Sequence, residues 1–210
     1  MKKVLFYLFL ISQISFSQTS KDSVNSGKFF VDFSGGFSKR LGSLEKSGDY
    51  ILDQKIESAS KGYFYEIGLS AQLIPNSSHY MGIKFNQFLK ILNGNKISTS
   101  FIGVGYMYSP ELSDGSYFSV DAYLGYIIYK DNEFYLDDYV MKSNSIGVTT
   151  SVSYFIYIGK GVYFGPKLGL QLGSSKKFKV TSPMGNETLN FDEAESFSKI
   201  DFGLSFRFNL

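Results

Sequence analysis

The 210-residue sequence predicts an all-β fold, a transmembrane antiparallel up-and-down β-barrel of about eight strands. Segments of about ten residues repeatedly alternate apolar and polar side chains, which is the pattern of a strand with one apolar and one polar face. Long polar connections alternate with short ones along the chain. The last segment, Lys199–Leu210, carries an apolar residue at every even position up to its final residue. Together these three observations favour a closed, alternating sheet.

The first seventeen residues have the features of a secretory signal peptide. Two lysines precede an apolar run, Val4–Ile14, and the small residues Ser15 and Ser17 stand before Gln18. This order of charge, apolar run and small residues is typical of a cleaved export signal, and the run is too short to cross a bilayer as a helix. The sequence therefore predicts cleavage between Ser17 and Gln18. The predicted organisation is a signal peptide at 1–17, a short N-terminal segment at 18–27 and a barrel at 28–210.

The composition narrows the class of protein. The sequence has 21 basic and 19 acidic residues, and cleavage removes Lys2 and Lys3 but no acid, so 19 of each remain. A neutral mature chain offers no electrostatic case for binding nucleic acid. The absence of cysteine fits an exported protein without disulfides and excludes a lipid anchor on cysteine. No mature segment offers about eighteen apolar residues in a row, and the mean hydropathy is −0.06, which together exclude a helical membrane protein but are compatible with alternating strands.

Eight segments follow the strand pattern. They are, in chain order, Phe29–Phe37, Tyr63–Leu73, His79–Phe88, Ser98–Tyr108, Phe118–Tyr129, Ile146–Ile156, Phe164–Leu172 and Lys199–Leu210. In each segment the apolar row is predicted to face lipid and the polar row to face the lumen. Pro166 lies within the seventh segment and has no backbone N–H to donate, so we predict a bulge or a local gap in pairing there.

The connections between strands are predicted to alternate between long and short, with the long ones at one end of the barrel and the short ones at the other. Long polar stretches, at about 40–61, 89–97, 130–143 and 174–196, alternate with short ones, at about 74–78, 109–116 and 159–161. Outer-membrane barrels carry long loops on the outside and short turns on the periplasmic side. Eight strands also return both chain ends to the same side, so the sequence predicts that both lie at the periplasmic end.

Charged residues on the inward rows predict a closed lumen. An eight-stranded barrel encloses a space just wide enough for side chains, and a buried charge is costly unless it is paired. The inward row holds four acids and four bases: Asp32, Glu66, Asp121 and Asp201 with Lys84, Lys167, Lys199 and Arg207. We therefore predict a structural charge network, with Asp32–Arg207 and Glu66–Lys84 as its pairs, in a packed lumen that is not an open pore.

The stretch 174–196 has the pattern of a hairpin that continues beyond the membrane. Pro183–Asn186 supplies a turn, and folding there places Val180 opposite Leu189 and Phe178 opposite Phe191. Two interpretations stay open at this point. The hairpin is either a protruding strand edge that pairs with an external protein or a stiff surface loop without a partner.

The residues that usually carry chemistry are sparse, and the sequence predicts no catalytic residue, cofactor or metal site. His79, the sole histidine, lies beside a short turn and is predicted to belong to an interfacial girdle. The segment Lys130–Asp138 clusters acids, but its spacing matches no defined calcium loop, so a solvated acidic loop is the favoured interpretation. We predict that the protein is not an enzyme.

Three segments carry a resemblance to a known family: Ser15–Gln18, the alternating Phe118–Tyr129 and the terminal Phe202–Phe208. In this pattern the chain resembles the small outer-membrane β-barrels common in Bacteroidota, whose barrels are of the OmpA and OmpX type. The resemblance implies a cell-envelope location in the outer membrane, contact with its lipid and insertion by the barrel assembly machinery. It implies a structural or surface-interaction role through extracellular loops. The alternative is a narrow channel or a transport component.

Overall fold

A computed structural model of the chain describes residues 28–42, 54, 57–92, 95–132 and 138–210. The predicted signal peptide, its cleavage site between Ser17 and Gln18, and the segment 18–27 lie outside the described residues. These described residues form nine strands: β1 (Phe29–Arg40), β2 (Lys61–Gln72), β3 (His79–Leu92), β4 (Asn95–Tyr108), β5 (Tyr117–Asn132), β6 (Val140–Gly159), β7 (Val162–Ser182), β8 (Gly185–Ser196) and β9 (Lys199–Asn209).

Eight of these strands close into a ring. Each strand from β1 to β7 pairs antiparallel with the next, β7 also pairs with β9, and β9 pairs with β1. The closing ladder sets Asp32 opposite Arg207 and Ser38 opposite Asp201. β8 is the exception, because among the described strands it pairs only with the distal part of β7 and stands outside the ring. The predicted eight-stranded antiparallel up-and-down barrel is confirmed.

The two walls of the barrel follow the alternation of the sequence. In β9 the even-numbered Phe202 is 62% exposed, whereas the odd-numbered Arg207 is 1% exposed. The same alternation recurs in β5, where Leu124 and Tyr126 point outward and Tyr123 points inward. A soluble protein rarely leaves a continuous apolar surface of this size open to water. The exterior is therefore suited to hydrocarbon. Within the described residues, no helix has the length and apolar character needed to cross a bilayer.

The predicted long connection at 89–97 is wrong. The β3–β4 ladder continues to the pair Leu92↔Asn95, so only residues 93–94 separate the strands. In this part of the ladder both faces carry apolar residues, since Ile97 is buried while Ile91 is exposed, so alternation of apolar and polar residues no longer marks the strand. The connection predicted at 130–143 is also shorter, since β5 reaches Asn132 and β6 begins at Val140.

The hairpin predicted in 174–196 is present, but its register differs by two residues. Phe178 lies opposite Leu189 and Val180 opposite Glu187. The cause is a tight turn in which only Pro183 and Met184 separate Ser182 from Gly185, whose φ of 138° suits glycine. A shift of two keeps every side chain on its predicted face.

Pro166 interrupts pairing on one side. The β6–β7 ladder stops at Ser153↔Lys167 and resumes at Ile156↔Phe164 in the same register, while the β7–β9 ladder runs through Pro166 without a break. The predicted gap is confirmed, and it occurs without a bulge at this point. The missing N–H is therefore accommodated by a local loss of pairing with β6.

Candidate functional site in the barrel interior

The barrel has two unlike ends. The short-turn end is formed by connections 73–78, 109–116 and 160–161, together with Lys28 and Leu210. The long-loop end is formed by connections 41–60, 93–94 and 133–139 and by the β7–β8 hairpin. All inward side chains between these two ends share one narrow space, so this space is the first candidate for a functional site.

A cluster of buried side chains, here called the lower cluster, fills the lumen at the short-turn end. Its members are Phe30, Tyr80, Met107, Tyr117, Phe155 and Tyr163. The rings of Phe30 and Tyr80 are 4.8 Å apart, and those of Tyr117 and Tyr163 meet edge to face at 5.0 Å. Offset and edge-on ring contacts of this kind add to the stabilisation from burial.

Arg207 is embedded in the lower cluster. Its Nε and Nη2 donate to the two carboxylate oxygens of Asp32, each at 2.8 Å. Its Nη1 donates to the hydroxyls of Ser109 at 2.8 Å and Ser119 at 2.9 Å. The guanidinium carbon lies 4.5 Å from the ring centre of Phe30 and 4.1 Å from that of Phe155. The Asp32–Arg207 pair predicted from the sequence is present, in the bidentate geometry that binds a guanidinium most strongly.

The centre of the lumen holds a layer of ion pairs. The Nζ of Lys84 lies 2.7 Å from a carboxylate oxygen of Asp121 and 3.6 Å from one of Glu66. Glu66 also accepts a hydrogen bond from Lys167, which is its nearer cation. The predicted Glu66–Lys84 contact is therefore present but secondary. Lys84 reaches past its neighbouring strand because side chains from non-adjacent strands meet across a lumen this narrow.

The remaining ions join this layer through an amide that the sequence interpretation missed. Asn86 donates to Glu66 and Asp201, both at 3.1 Å, and accepts from Nζ of Lys199 at 2.8 Å. Asp201 also pairs with Lys199 and accepts from the hydroxyl of Ser38 at 2.5 Å. Asn86 lies two residues from Lys84 on the same inward row, so the alternation could have placed it here. The eight predicted lumen residues and Asn86 thus form two groups: the Asp32–Arg207 pair in the lower cluster, and the other seven residues in the central layer.

A second buried cluster, the upper cluster, lies at the long-loop end. Its members are Ala59, Phe88, Ile97, Phe101, Tyr123, Ile127, Tyr129, Phe178 and Phe197. Tyr129 stacks on Phe197 at 5.1 Å with an interplanar angle of 12°. Phe178 comes from the hairpin and Ala59 from connection 41–60, so the loops themselves contribute to this cluster. The ion layer is consequently enclosed between apolar clusters at both ends.

Arg40 holds the base of the hairpin, and the sequence prediction did not include it. Its Nη2 lies 3.0 Å from a carboxylate oxygen of Glu195 and donates to the carbonyl of Ser196 at 3.0 Å. The guanidinium carbon lies 5.7 Å from the ring centre of Tyr129. Continuing the alternation of the first strand from Ser38 by one inward position would have found Arg40. Its contacts join β1 to β8.

Polar contacts close the rim of the short-turn end. Nζ of Lys28 donates to Glu111 at 2.6 Å and to the hydroxyl of Tyr117 at 2.8 Å, and Tyr117 itself donates to Glu111 at 2.8 Å. The hydrogen bonds from Lys28 and Tyr117 lower the pKa of Glu111 below its usual value. These contacts tie the segment before β1 to the β4–β5 connection.

His79 lies on the outer surface at this same end. Its Nδ1 is in hydrogen-bond contact with the hydroxyl of Tyr106, and its ring centre is 5.4 Å from that of Tyr108. Exposed aromatic groups at the edge of an apolar wall are typical of an interfacial girdle. Within the described residues, no three His, Asp or Glu side chains converge as a metal site requires. Part of the acidic segment, 133–137, lies outside the described residues.

Solved outer-membrane barrels share this fold. Neisserial surface protein A superposes with a TM-score of 0.59 at 12% sequence identity, over 88% of this chain and 100% of that one. A major outer membrane protein from Thermus thermophilus superposes with a TM-score of 0.54 at 11% identity, again over 88% of this chain and 100% of the other. No family model matches the sequence, and no curated protein matches it significantly. At these identities the comparisons establish the barrel architecture.

Proposed function

We propose that the chain is an integral outer-membrane protein of the small OmpA and OmpX type, with a closed barrel that presents its long-loop end at the cell surface. Its role is structural or one of surface interaction. The observation that supports this most directly is the layered lumen, in which paired charges lie between two buried clusters. The apolar outer wall and the likeness to solved outer-membrane barrels support the membrane location.

Closure follows from the energetics of the ion layer. Each of the eight predicted lumen charges contacts a charge of opposite sign. Removing one member of a buried pair costs about 3–5 kcal/mol, so an ion that displaced these contacts during passage would meet a large barrier. The buried clusters above and below fill the lumen with large side chains, so a hydrated ion has no open path past them. We therefore favour a closed barrel over the alternative of a narrow channel.

The β7–β8 hairpin is the proposed interaction element. β8 pairs with β7 along one edge, and its other edge faces no strand in the part of the chain that the structure describes. An unpaired edge presents a row of N–H and C=O groups that an extended segment of another protein can bind. The upper cluster and Arg40 hold the base of the hairpin, so its edge is presented on a rigid support.

Conductance in planar bilayers tests closure. The purified, refolded protein should give no steady single-channel currents at any applied voltage that leaves the bilayer intact, while an open porin in the same bilayer serves as the positive control. Discrete, voltage-stable current steps from this protein would show that ions pass through the lumen, and the channel alternative would then replace the closed barrel.

Orientation can be tested with introduced thiols, because the sequence contains no cysteine. Met184 is 96% exposed at the tip of the hairpin, and Asp114 is exposed in a short turn at the opposite end. In intact cells a membrane-impermeant maleimide should label Met184→Cys and leave Asp114→Cys unlabelled until the cells are lysed. Labelling of Asp114→Cys alone would reverse the proposed orientation, and equal labelling of both in detergent is the control.

A further inference from the structure

Asn86 and Lys199 meet inside the closed lumen although their strands, β3 and β9, are not neighbours in the sheet. Both side chains are buried, with exposures of 3% and 1%. Nζ of Lys199 donates to Oδ1 of Asn86 at 2.8 Å. Since a C=O bond is about 1.23 Å long, Nζ lies within about 4 Å of the amide carbon Cγ. This separation is close to the range of about 3–3.5 Å from which two oriented groups react.

The buried carboxylate of Asp201 contacts both members of this pair. It accepts a hydrogen bond from Nζ of Lys199, and its Oδ2 accepts another from Nδ2 of Asn86 at 3.1 Å. Its second oxygen, Oδ1, accepts from the hydroxyl of Ser38 at 2.5 Å, which holds the carboxylate in this orientation. One carboxylate is therefore within hydrogen-bond reach of an amine and of the nitrogen that would leave the amide. This is the position required of a group that transfers a proton between them.

The surroundings of the pair hinder the access of bulk water and leave a small space beside the amide. The upper and lower clusters fill the lumen on either side of the ion layer. A cavity that has room for one water-sized molecule is lined by Asn86, Asp201, Thr149 and Gln171, among others. Oγ1 of Thr149 and Oε1 of Gln171 are buried and have no hydrogen-bond partner among the described residues. Both oxygens can accept hydrogen bonds from a small donor such as ammonia.

We propose that Lys199 and Asn86 form an intramolecular amide crosslink, with Asp201 as the proton shuttle and ammonia as the released product. Asp201 takes a proton from the ammonium of Lys199, and the neutral amine attacks Cγ of Asn86. The Cγ–Nδ2 bond breaks as Asp201 passes its proton to Nδ2 and accepts another from the attacking nitrogen. Ammonia leaves, a secondary amide joins the two side chains, and Asp201 remains as the neutral acid. The net charge of the lumen is unchanged, and no oxidant or cofactor takes part.

The contacts of the other central lysines favour Lys199 as the nucleophile. Lys84 and Lys167 both lie against the carboxylate of Glu66, and Lys84 also lies against Asp121. An ionised carboxylate resists attack by an amine, whereas a neutral amide offers an electrophilic carbon. After the reaction these two lysines and two carboxylates remain as a balanced set, and one costly buried ion pair has been replaced by neutral groups.

The crosslink joins β3 to the C-terminal strand, β9, which closes the ring against β1. The two linked residues are 113 positions apart in the chain. A covalent link across so long a segment restricts the unfolded chain and thereby stabilises the folded one. The bond would therefore hold the closing strand of the barrel in place.

Peptide mapping of the folded barrel by mass spectrometry tests the bond directly. Trypsin cuts after lysine and arginine, so the unlinked chain gives the peptides 85–90 and 200–207. A crosslink on Lys199 blocks cleavage there, and the linked chain instead gives residues 85–90 joined to residues 180–207, with their summed mass reduced by one ammonia molecule. The mass of the intact protein is not sufficient, because an N-terminal glutamine, as predicted at position 18, also cyclises with loss of ammonia.

Three variants separate the reaction from the fold. K199R removes the nucleophile but keeps the charge, and D201N removes the shuttle, so both should lose the branched peptide. K167R is the matched control, since it changes a lysine of the same layer that does not take part, and it should keep the branched peptide. The wild type should lack the link while it is unfolded in urea and acquire it after refolding into detergent.

Heat-modifiable gel mobility shows which samples contain a folded barrel. A folded wild type that yields both unlinked peptides and no branched peptide would overturn the proposal, and this result does not depend on any variant. A branched peptide from folded D201N would overturn the assignment of Asp201 as the shuttle. As a second readout, boiled wild type should migrate faster than boiled K199R, because the segment between the linked residues stays closed; equal mobility would contradict the bond.

Discussion

Replacement of Asp32 by alanine should destabilise the barrel strongly, because it leaves the guanidinium of Arg207 buried without a counter-charge. Arg207 is 1% exposed, whereas the Asp32 side chain is 15% exposed. Breaking a buried ion pair from one side costs about 3–5 kcal/mol. Arg207 keeps its hydrogen bonds to two serines and its contacts with two aromatic rings, and each desolvated ring contact stabilises a cation by about 2 kcal/mol. Because these contacts remain, we expect the free energy of unfolding to fall by about 3 kcal/mol, the lower end of that range.

The double variant Asp32→Ala/Arg207→Met separates this reasoning from a general loss of packing. Removing both charges leaves no unpaired charge in the lower cluster, so the double variant should be more stable than Asp32→Ala alone, although it loses the ring contacts of Arg207. Urea unfolding in phospholipid vesicles gives the free energies, followed by far-ultraviolet circular dichroism because the chain has no tryptophan. If the losses of the two single variants simply add, the two charges do not interact, and the account of the lumen as a paired network is refuted.

Three further predictions concern the wall, the strand packing and the rim. Leu204→Arg should cost about 2–4 kcal/mol at mid-wall, whereas Ser205→Ala on the lumen face should cost about 1 kcal/mol; equal unfolding free energies would contradict the face assignment. Gly165→Ala should cost about 1–3 kcal/mol, since its added β-carbon would lie 1.7 Å from the carbonyl oxygen of Tyr154, and a wild-type midpoint in urea would contradict this contact. Because the pKa of Glu111 is lowered, its contribution is complete above the unfolded pKa of about 4.3 and is lost as pH falls through the lower folded value. Glu111→Gln should therefore remove at most about 1 kcal/mol at neutral pH and flatten the acid limb of the stability curve, and an unchanged acid limb would exclude this rim contact.

Much of the barrel could be predicted from one-dimensional alternation. A period of two fixes which wall each side chain belongs to, and it placed Glu66, Lys84 and Asp201 inside without any knowledge of their partners. It does not fix how far a strand extends where both of its faces carry the same kind of side chain, and both faces are apolar where β3 and β4 proved longer than predicted. Nor does it distinguish registers that differ by two residues, and the hairpin differs by that amount from the prediction, with Phe178 opposite Leu189.

The partners within the lumen could be predicted only where they are neighbours in the ladder. Asp32 and Arg207 oppose each other on β1 and β9, so their contact follows from closure of the ring. Lys167 reaches Glu66 from a strand that is not adjacent to β2, and that contact depends on strand tilt and stagger. Tilt is a property of the closed sheet as a whole, and no local sequence pattern carries it.

The same alternation separates two roles within one hairpin. On its inward face Phe178 packs against Tyr129 and Phe197. The upper cluster therefore includes a part of β7 that lies beyond the apolar outer wall. On its outward face Lys179 is exposed. A strand whose inward side chains are already packed loses little conformational freedom when its outward side chains bind a ligand. The entropic cost of binding is therefore lower. The packed interior thereby makes the outer face of β5–β7 a rigid surface.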